Sequence, residues 1–251
     1  MDLGGGAELI DWLLSLGYFW IILILSVVVS LITSIIYKYT TNQAEIKRIK
    51  EDIKKLREKM KKHKDNQKKL MEINQEMMSK NFAIMKQSLR SMLYSFLPII
   101  LILSWMAGNL VYEPIMPGEE FTVEAFLSDG YAGDKDEVSL SIMPEMEIIG
   151  RENDDSKIVW TLRAETVGTY SLLFQGETFR ESKEVLVTEI KDYEQPVQSY
   201  DSDLERVVVG NDHVRPFGDT SLFGWRPGWL GAYILLSIPL SILMRKFLGV
   251  V

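Results

Sequence analysis

Ser26, Ser30, Thr33, Ser34 and Tyr37 fall at i, i+4, i+7, i+8 and i+11, on one face of a helix. Tyr233, Ser237, Ser241 and Arg245 repeat the pattern in steps of four. A hydroxyl donates one hydrogen bond and accepts others. Left unpaired in hydrocarbon, such a group costs several kcal/mol. A hydroxyl row therefore has two chemical uses. It lets apolar helices approach closely and bond across, or it lines a wet groove, here with Arg245 at its mouth. The residues alone leave both open. Other chemistry is poorly supplied. The chain has no cysteine, and His63 and His213 stand alone, so no His/Cys metal site can be built. No Ser/His/Asp grouping, P-loop or dinucleotide fingerprint occurs. The expectation is a protein without catalysis, without a cofactor and without DNA as a partner.

The elements that carry the hydroxyl rows are apolar runs. Phe19–Tyr37 and Met92–Tyr112 are each about 20 residues without a charge, enough for a helix to cross a ~30 Å hydrocarbon core. Trp229–Met244 is shorter and is closed by Arg245 and Lys246. Pro98 and Pro239 interrupt the second and third runs. Ahead of the first run, Ala7–Leu16 has apolar residues at helical spacing. It reads as a short interfacial helix or as a lead-in to the span.

Charge separates the two connecting segments. Residues 38–92 carry 16 Lys/Arg against 7 Asp/Glu, and residues 113–226 carry 10 against 25. Lys/Arg-rich loops beside spans stay in the cytoplasm. The expected topology has the N-terminus outside, the basic segment inside, the acidic segment outside and the C-terminus inside. The chain divides into an outer segment 1–17, a span 18–39, a cytoplasmic arm 40–91, a span 92–112, an outer domain 113–190, a linker 191–226, and a last span with its tail, 227–251.

In the basic arm Ile46, Ile49, Ile53, Leu56 and Met60 alternate steps of three and four, a coiled-coil seam. The pattern breaks at His63–Gln67 and resumes at Leu70, Ile73 and Met77. This predicts a helical hairpin: span one continues as a basic helix, turns near Lys64–Asn66 and returns into span two. Lys47, Arg48, Lys54, Lys55, Lys61, Lys62 and Lys64 suit anionic lipid, or RNA such as the ribosome's. The returning arm holds Met71, Met77, Met78 and Met85, with Phe82 among them. Flexible, polarizable Met side chains suit surfaces that take varied apolar partners, and equally suit packing of the hairpin itself.

The acidic segment alternates. Glu119–Leu127, Val138–Met143, Ile158–Arg163, Tyr170–Phe174 and Val185–Ile190 each read as half-buried strands between turn-rich stretches. The fold class expected is a membrane all-α core of three transmembrane helices with a cytoplasmic coiled-coil hairpin. To this is added an extracytoplasmic all-β insertion, an Ig-like sandwich with Trp160 and Tyr170 in its core. Asp129, Asp134, Asp136 and Glu137 read as a solvated acidic turn, their spacing being unlike an EF-hand's. Phe217, Phe223 and Trp225 in the linker suit an aromatic belt.

The arm and second span, KLMEINQEMMSKN and MLYSFLPIILILSWMAG, and the third span, WLGAYILLSIPLSILMRKFLGV, resemble the archaeal YidC-like proteins. These belong to the Oxa superfamily of membrane protein insertases, with subunit 3 of the endoplasmic reticulum membrane complex. The order of spans and hairpin carries more of the resemblance than any one residue. It covers about residues 1–112 and 227–251. It implies binding of nascent or newly made membrane proteins and their passage through a three-helix groove into the lipid. On that reading Ser26, Ser30, Thr33, Ser34, Ser237, Ser241 and Arg245 line the groove. Met71, Met77, Met78, Phe82 and Met85 capture the client, and a membrane partner subunit has room to bind. Two departures stand out. Bacterial members carry an arginine in their first core helix, whereas span one has no charge. The compact family pattern also has no need of the outer domain. The alternative is a membrane-anchored receptor or scaffold whose β-domain binds an outer partner.

Overall fold

A break at Thr41 separates the first apolar run from the basic arm. Helix α1 spans Tyr18–Thr40 and α2 spans Gln43–Lys62. The sequence predicted one continuous helix. Instead, the Thr41 hydroxyl turns back to the Tyr37 carbonyl at 2.5 Å, and the Asn42 side chain accepts the Glu45 N–H at 3.1 Å. Asn42 thus satisfies a donor that helix continuation would otherwise have used, and a new helix starts there. The computed structural model describes residues 10, 12–63, 66–154, 156–221 and 224–250. Lys64, Phe223, and residues 7–9 and 11 of the expected interfacial helix lie outside these. The chain divides into two compact units, Phe19–Met106 with Leu230–Val251, and Met1–Tyr18 with Ala107–Trp229.

The first of these units is helical. On α2, Ile46, Ile53 and Leu56 are buried and Ile49 and Met60 half-buried, while Lys47, Arg48, Lys54, Lys55, Lys61 and Lys62 are exposed. Helix α3 runs unbroken from Gln67 to Asn109, through Pro98, so the returning arm and the second apolar run are one element. Lys80 binds Asp52 at 2.9 Å and Gln87 binds Glu45 at 2.9 Å, which ties α3 alongside α2. The Lys80 hydrogen bond, before its charge, holds the Asp52 carboxyl below its ordinary pKa. Helix α4, Trp229–Phe247, ends where Gly249 takes a positive φ of 65° and Val250 N–H reaches back to the Arg245 carbonyl, a glycine C-cap. Among the described residues, α1, α3 and α4 are long and apolar enough to cross a membrane.

The second unit is β. Its strands are β1 Glu120–Leu127, β2 Ser139–Met143, β3 Glu147–Asn153, β4 Lys157–Arg163, β5 Gly168–Gln175, β6 Arg180–Val187, β7 Val197–Ser199 and β8 Leu204–Val209. They form two antiparallel sheets, in the orders β3-β4-β1-β8-β7 and β2-β5-β6. Alternation turns one face of each inward. Val123, Trp160, Leu162, Leu172 and Phe174 meet there in one buried cluster. Trp160 and Phe174 pack edge to face, 5.5 Å between ring centroids. Tyr170, buried at the start of β5, donates its hydroxyl to the Thr166 carbonyl at 2.8 Å.

Strands β3, β7 and β8 were not predicted. The stretch 191–226 read as a linker, yet it supplies β7 and β8 to the larger sheet. In β8 the buried residues are Leu204, Val207 and Val209, and the register slips opposite Phe126/Leu127. That bulge erases the strict period of two. In β3 no residue is buried, because it is an edge strand. A neck closes the unit. Glu113 N–H donates to Asp212 O at 2.7 Å, Val214 N–H donates to Val111 O at 3.0 Å, and Tyr112 stacks on His213. Ile115 bridges Val187 in parallel beside it.

Candidate functional site

Helix α3 places small hydroxyl residues and methionines at neighbouring angles. Ser88, Ser91 and Ser95 sit at i, i+3 and i+7, and Met85, Leu89 and Met92 lie about one step round the helix from them. Together with Ile99, Thr33 and Tyr37 of α1, and Arg245 of α4, these residues line a cavity of about 460 Å³ within the helical unit. Ser91 is 3% exposed and Ser95 8%.

The cavity offers acceptors and one cation. The Ser95 hydroxyl donates to the Ser91 carbonyl at 3.0 Å, and Thr33 donates to the Val29 carbonyl at 2.8 Å. With their protons committed to their own helices, both oxygens present lone pairs. The Arg245 guanidinium lies over the Tyr37 ring, 5.0 Å from its centroid. It is the charged side chain among the lining residues. A polar peptide group in this cavity finds oxygens to donate to, and an acidic side chain finds Arg245. Met85, Leu89 and Met92 offer an apolar wall beside them.

The predicted groove residues divide three ways. Thr33 and Arg245 line the cavity. Ser26, Ser30 and Ser34 are buried, and their hydroxyls take no partner among the described residues. Ser237 and Ser241 bond the carbonyls of Ile234 and Ile238 in their own helix. Sequence reasoning missed Ser88 and Ser91, which precede the stretch read as span two. The i, i+3, i+7 spacing with Ser95 was the signal. Of the capture residues, Met71, Met78, Phe82 and Met85 are exposed, by 63, 71, 62 and 48%, whereas Met77 is partly covered.

Three long apolar helices around a hydroxyl-lined cavity define an integral membrane protein. Residues 7–117 match the family model described as integral membrane protein EMC3/TMCO1-like. That family belongs to the insertase-related group of Oxa1, YidC, Alb3 and EMC3. The match takes in α1, α2 and α3, and it ends before β1. No curated protein and no solved structure matches the chain.

Proposed function

We propose that the chain is a membrane protein insertase and chaperone, akin to the archaeal YidC-like proteins. It receives apolar segments of newly made membrane proteins on α3 and passes them to the bilayer through the three-helix cavity. One observation carries this reading. Met85, Leu89 and Met92 belong both to the exposed apolar side of α3 and to the cavity wall. Met71, Met78, Phe82, Met85, Leu89 and Met92 advance in steps of seven, four, three, four and three. They form a single stripe about 32 Å long at 1.5 Å per residue. A client helix laid on that stripe arrives at the oxygens of Thr33 and Ser95 and at Arg245. These replace water for the client's polar flank, whose bare transfer through hydrocarbon costs several kcal/mol per group. No nucleotide hydrolysis is required.

The rest of the molecule follows from this. Helix α2 and the first half of α3, up to residue 91, form a cytoplasmic coiled-coil hairpin, and its basic face contacts anionic headgroups or ribosomal RNA. The charge asymmetry sets the N-terminus outside and the C-terminus inside. An impermeant thiol reagent should label a cysteine at Asp154 in intact cells and spare one at Lys62; the reverse would overturn the topology. The outer unit is an Ig-like sandwich. Reading β1 to β6 as strands B to G gives the two sheets DEB and CFG, with β8 in the place of strand A, and Tyr170 at the E–F corner. A membrane partner subunit finds room on the exposed apolar residues of α4, Ile238, Ile242 and Leu243.

Replacing Met71, Met77, Met78 and Met85 together by Ser should cut crosslinking to apolar client segments severalfold while the protein stays assembled in the membrane. Unchanged crosslinking in the assembled variant would reduce these methionines to packing.

A further inference from the structure

The most exposed apolar side chains of the β unit, Met143, Ile190 and Val167, lie at one end. Strand register assigns each turn to an end. The neck, Ile115, and the turns after β2, β4 and β6 share one end, because Ile115 bridges Val187, Val187 pairs with Gly168, and Glu120 and Glu147 both pair with Arg163. At this end Met143 is 78% exposed, Val167 58% and Ile190 67%. The turns at the opposite end hold Asp129, Asp134, Asp136, Asp154, Glu177 and Asp201. No large apolar residue is exposed there among the described residues.

The apolar tips are held in place. Ile190 N–H donates to the Thr188 hydroxyl at 3.3 Å, Asp192 N–H donates to the Ile190 carbonyl at 2.8 Å, and Thr188 N–H donates to Ile115 O at 2.9 Å. Next to Ile190, the Lys191 amine lies over the Tyr18 ring, 5.4 Å from its centroid. Tyr18 is the first residue of α1, a helix long and apolar enough to cross a membrane. Six residues earlier Trp12 is 57% exposed, and Leu14 and Ser15 share a cavity with Glu189, Ile190 and Lys191. Ile190 and Lys191 thus lie beside Tyr18, and Met143 and Val167 belong to the same end of the β unit by strand register. Tyr, Trp and Lys are the residues that mark the headgroup level.

We propose that the neck end of the β unit is a lipid-binding foot. Met143, Val167, Ile190 and Trp12 seat it in the headgroup–acyl boundary of the bilayer, Glu145, Glu165 and Glu189 beside them stay at headgroup level, and the opposite end stays in water. The occupant is lipid because Ile190 and Lys191 lie against Leu14, Ser15 and Tyr18, the residues that lead directly into an apolar helix long enough to cross a membrane. The contact is apolar rather than electrostatic, because residues 113–226 carry 25 acidic against 10 basic side chains and gain nothing from anionic headgroups. This inference rests on the reading that α1, α3 and α4 cross the membrane.

The chain has no cysteine, so single spin labels can be placed in the full-length protein, in phosphatidylcholine nanodiscs. Labels at Ile190 and Val167 should relax severalfold more with oxygen, relative to a water-soluble nickel chelate, than a label at Glu177. A label at Leu101 in α3 should favour oxygen most. Nickel accessibility at 190 and 167 equal to that at 177, with 101 still in lipid, would overturn the foot and leave the spans standing. A nickel-accessible 101 would remove the membrane reading and the foot with it. Oxygen preference at 190 that appears only when anionic lipid is mixed in would replace the apolar foot by a charge contact, and would equally overturn it.

Discussion

The two units solve opposite solvent problems with one chain. In the β unit large side chains go inward: Phe174, Leu172, Ile158 and Leu162 are wholly buried, and charge covers the outside. In the helical unit the order is inverted. On α3 the buried residues are Ser91, Ser95 and Met106, while Leu93, Leu97 and Leu101 are exposed by 77, 67 and 62%. On α1, Ser26, Ser30 and Ser34 are buried beside Ile21, Ile22 and Val29. Water drives apolar surface together, and hydrocarbon does not. Helices in lipid therefore associate through small and hydroxyl residues and leave leucine outside. The β unit closes its core within itself and leaves apolar tips at one end alone, whereas the helical unit presents apolar surface along whole helices that lipid or a client must cover.

Deleting apolar volume should affect the two units very differently. Phe174→Ala should destabilise the β unit by about 3–5 kcal/mol, since it leaves a cavity against Trp160. Leu97→Ala on α3 should shift stability by less than about 0.5 kcal/mol, because that side chain faces hydrocarbon before and after. Thermal unfolding in nanodiscs, followed by near-ultraviolet circular dichroism, reads both. Similar losses at the two positions would end the distinction.

A smaller effect is expected at a buried charge of the β unit. Lys183 is 3% exposed on β6, with its amine on the Glu184 carbonyl at 2.6 Å. Burial pushes its pKa down, against the pull of Glu194 and Glu184. Between that depressed folded value and the ordinary lysine range the unfolded chain binds the proton more tightly, so the β unit should gain stability as pH rises through this window. Lys183→Met should raise stability near neutral pH by about 1 kcal/mol and flatten the alkaline rise. Denaturant midpoints across alkaline pH measure it. An unchanged slope would mean that Lys183 is paired well enough to offset its burial.

The sequence disclosed what depends on local pattern. The apolar runs, the burial of Ile46, Ile53 and Leu56 on α2, and the alternation around Trp160 and Tyr170 are each readable within one element. What it hid depends on neighbours. Edge strand β3 buries nothing, and the bulged β8 follows no period, so neither leaves a trace in the pattern. The cavity is assembled from three helices. Of the hydroxyl row on α1, which looked uniform in sequence, Thr33 alone reaches it beside Tyr37, while Ser26, Ser30 and Ser34 are buried elsewhere on the helix. Ser91 could be weighed only once α3 was known to run unbroken from Gln67.

The central claim is that apolar clients travel along one side of α3 into the cavity. Met92 and Leu93 test it side by side: they are adjacent on α3 and are exposed by 64 and 77%, but Met92 lines the cavity and Leu93 does not. A photoreactive residue at each position, in membranes carrying ribosome-bound nascent membrane proteins, gives the measurement. The account predicts strong client adducts from position 92, with Thr33 giving the same adducts across the cavity, and few from position 93. Equal yields from 92 and 93, or adducts from 93 alone, would contradict it.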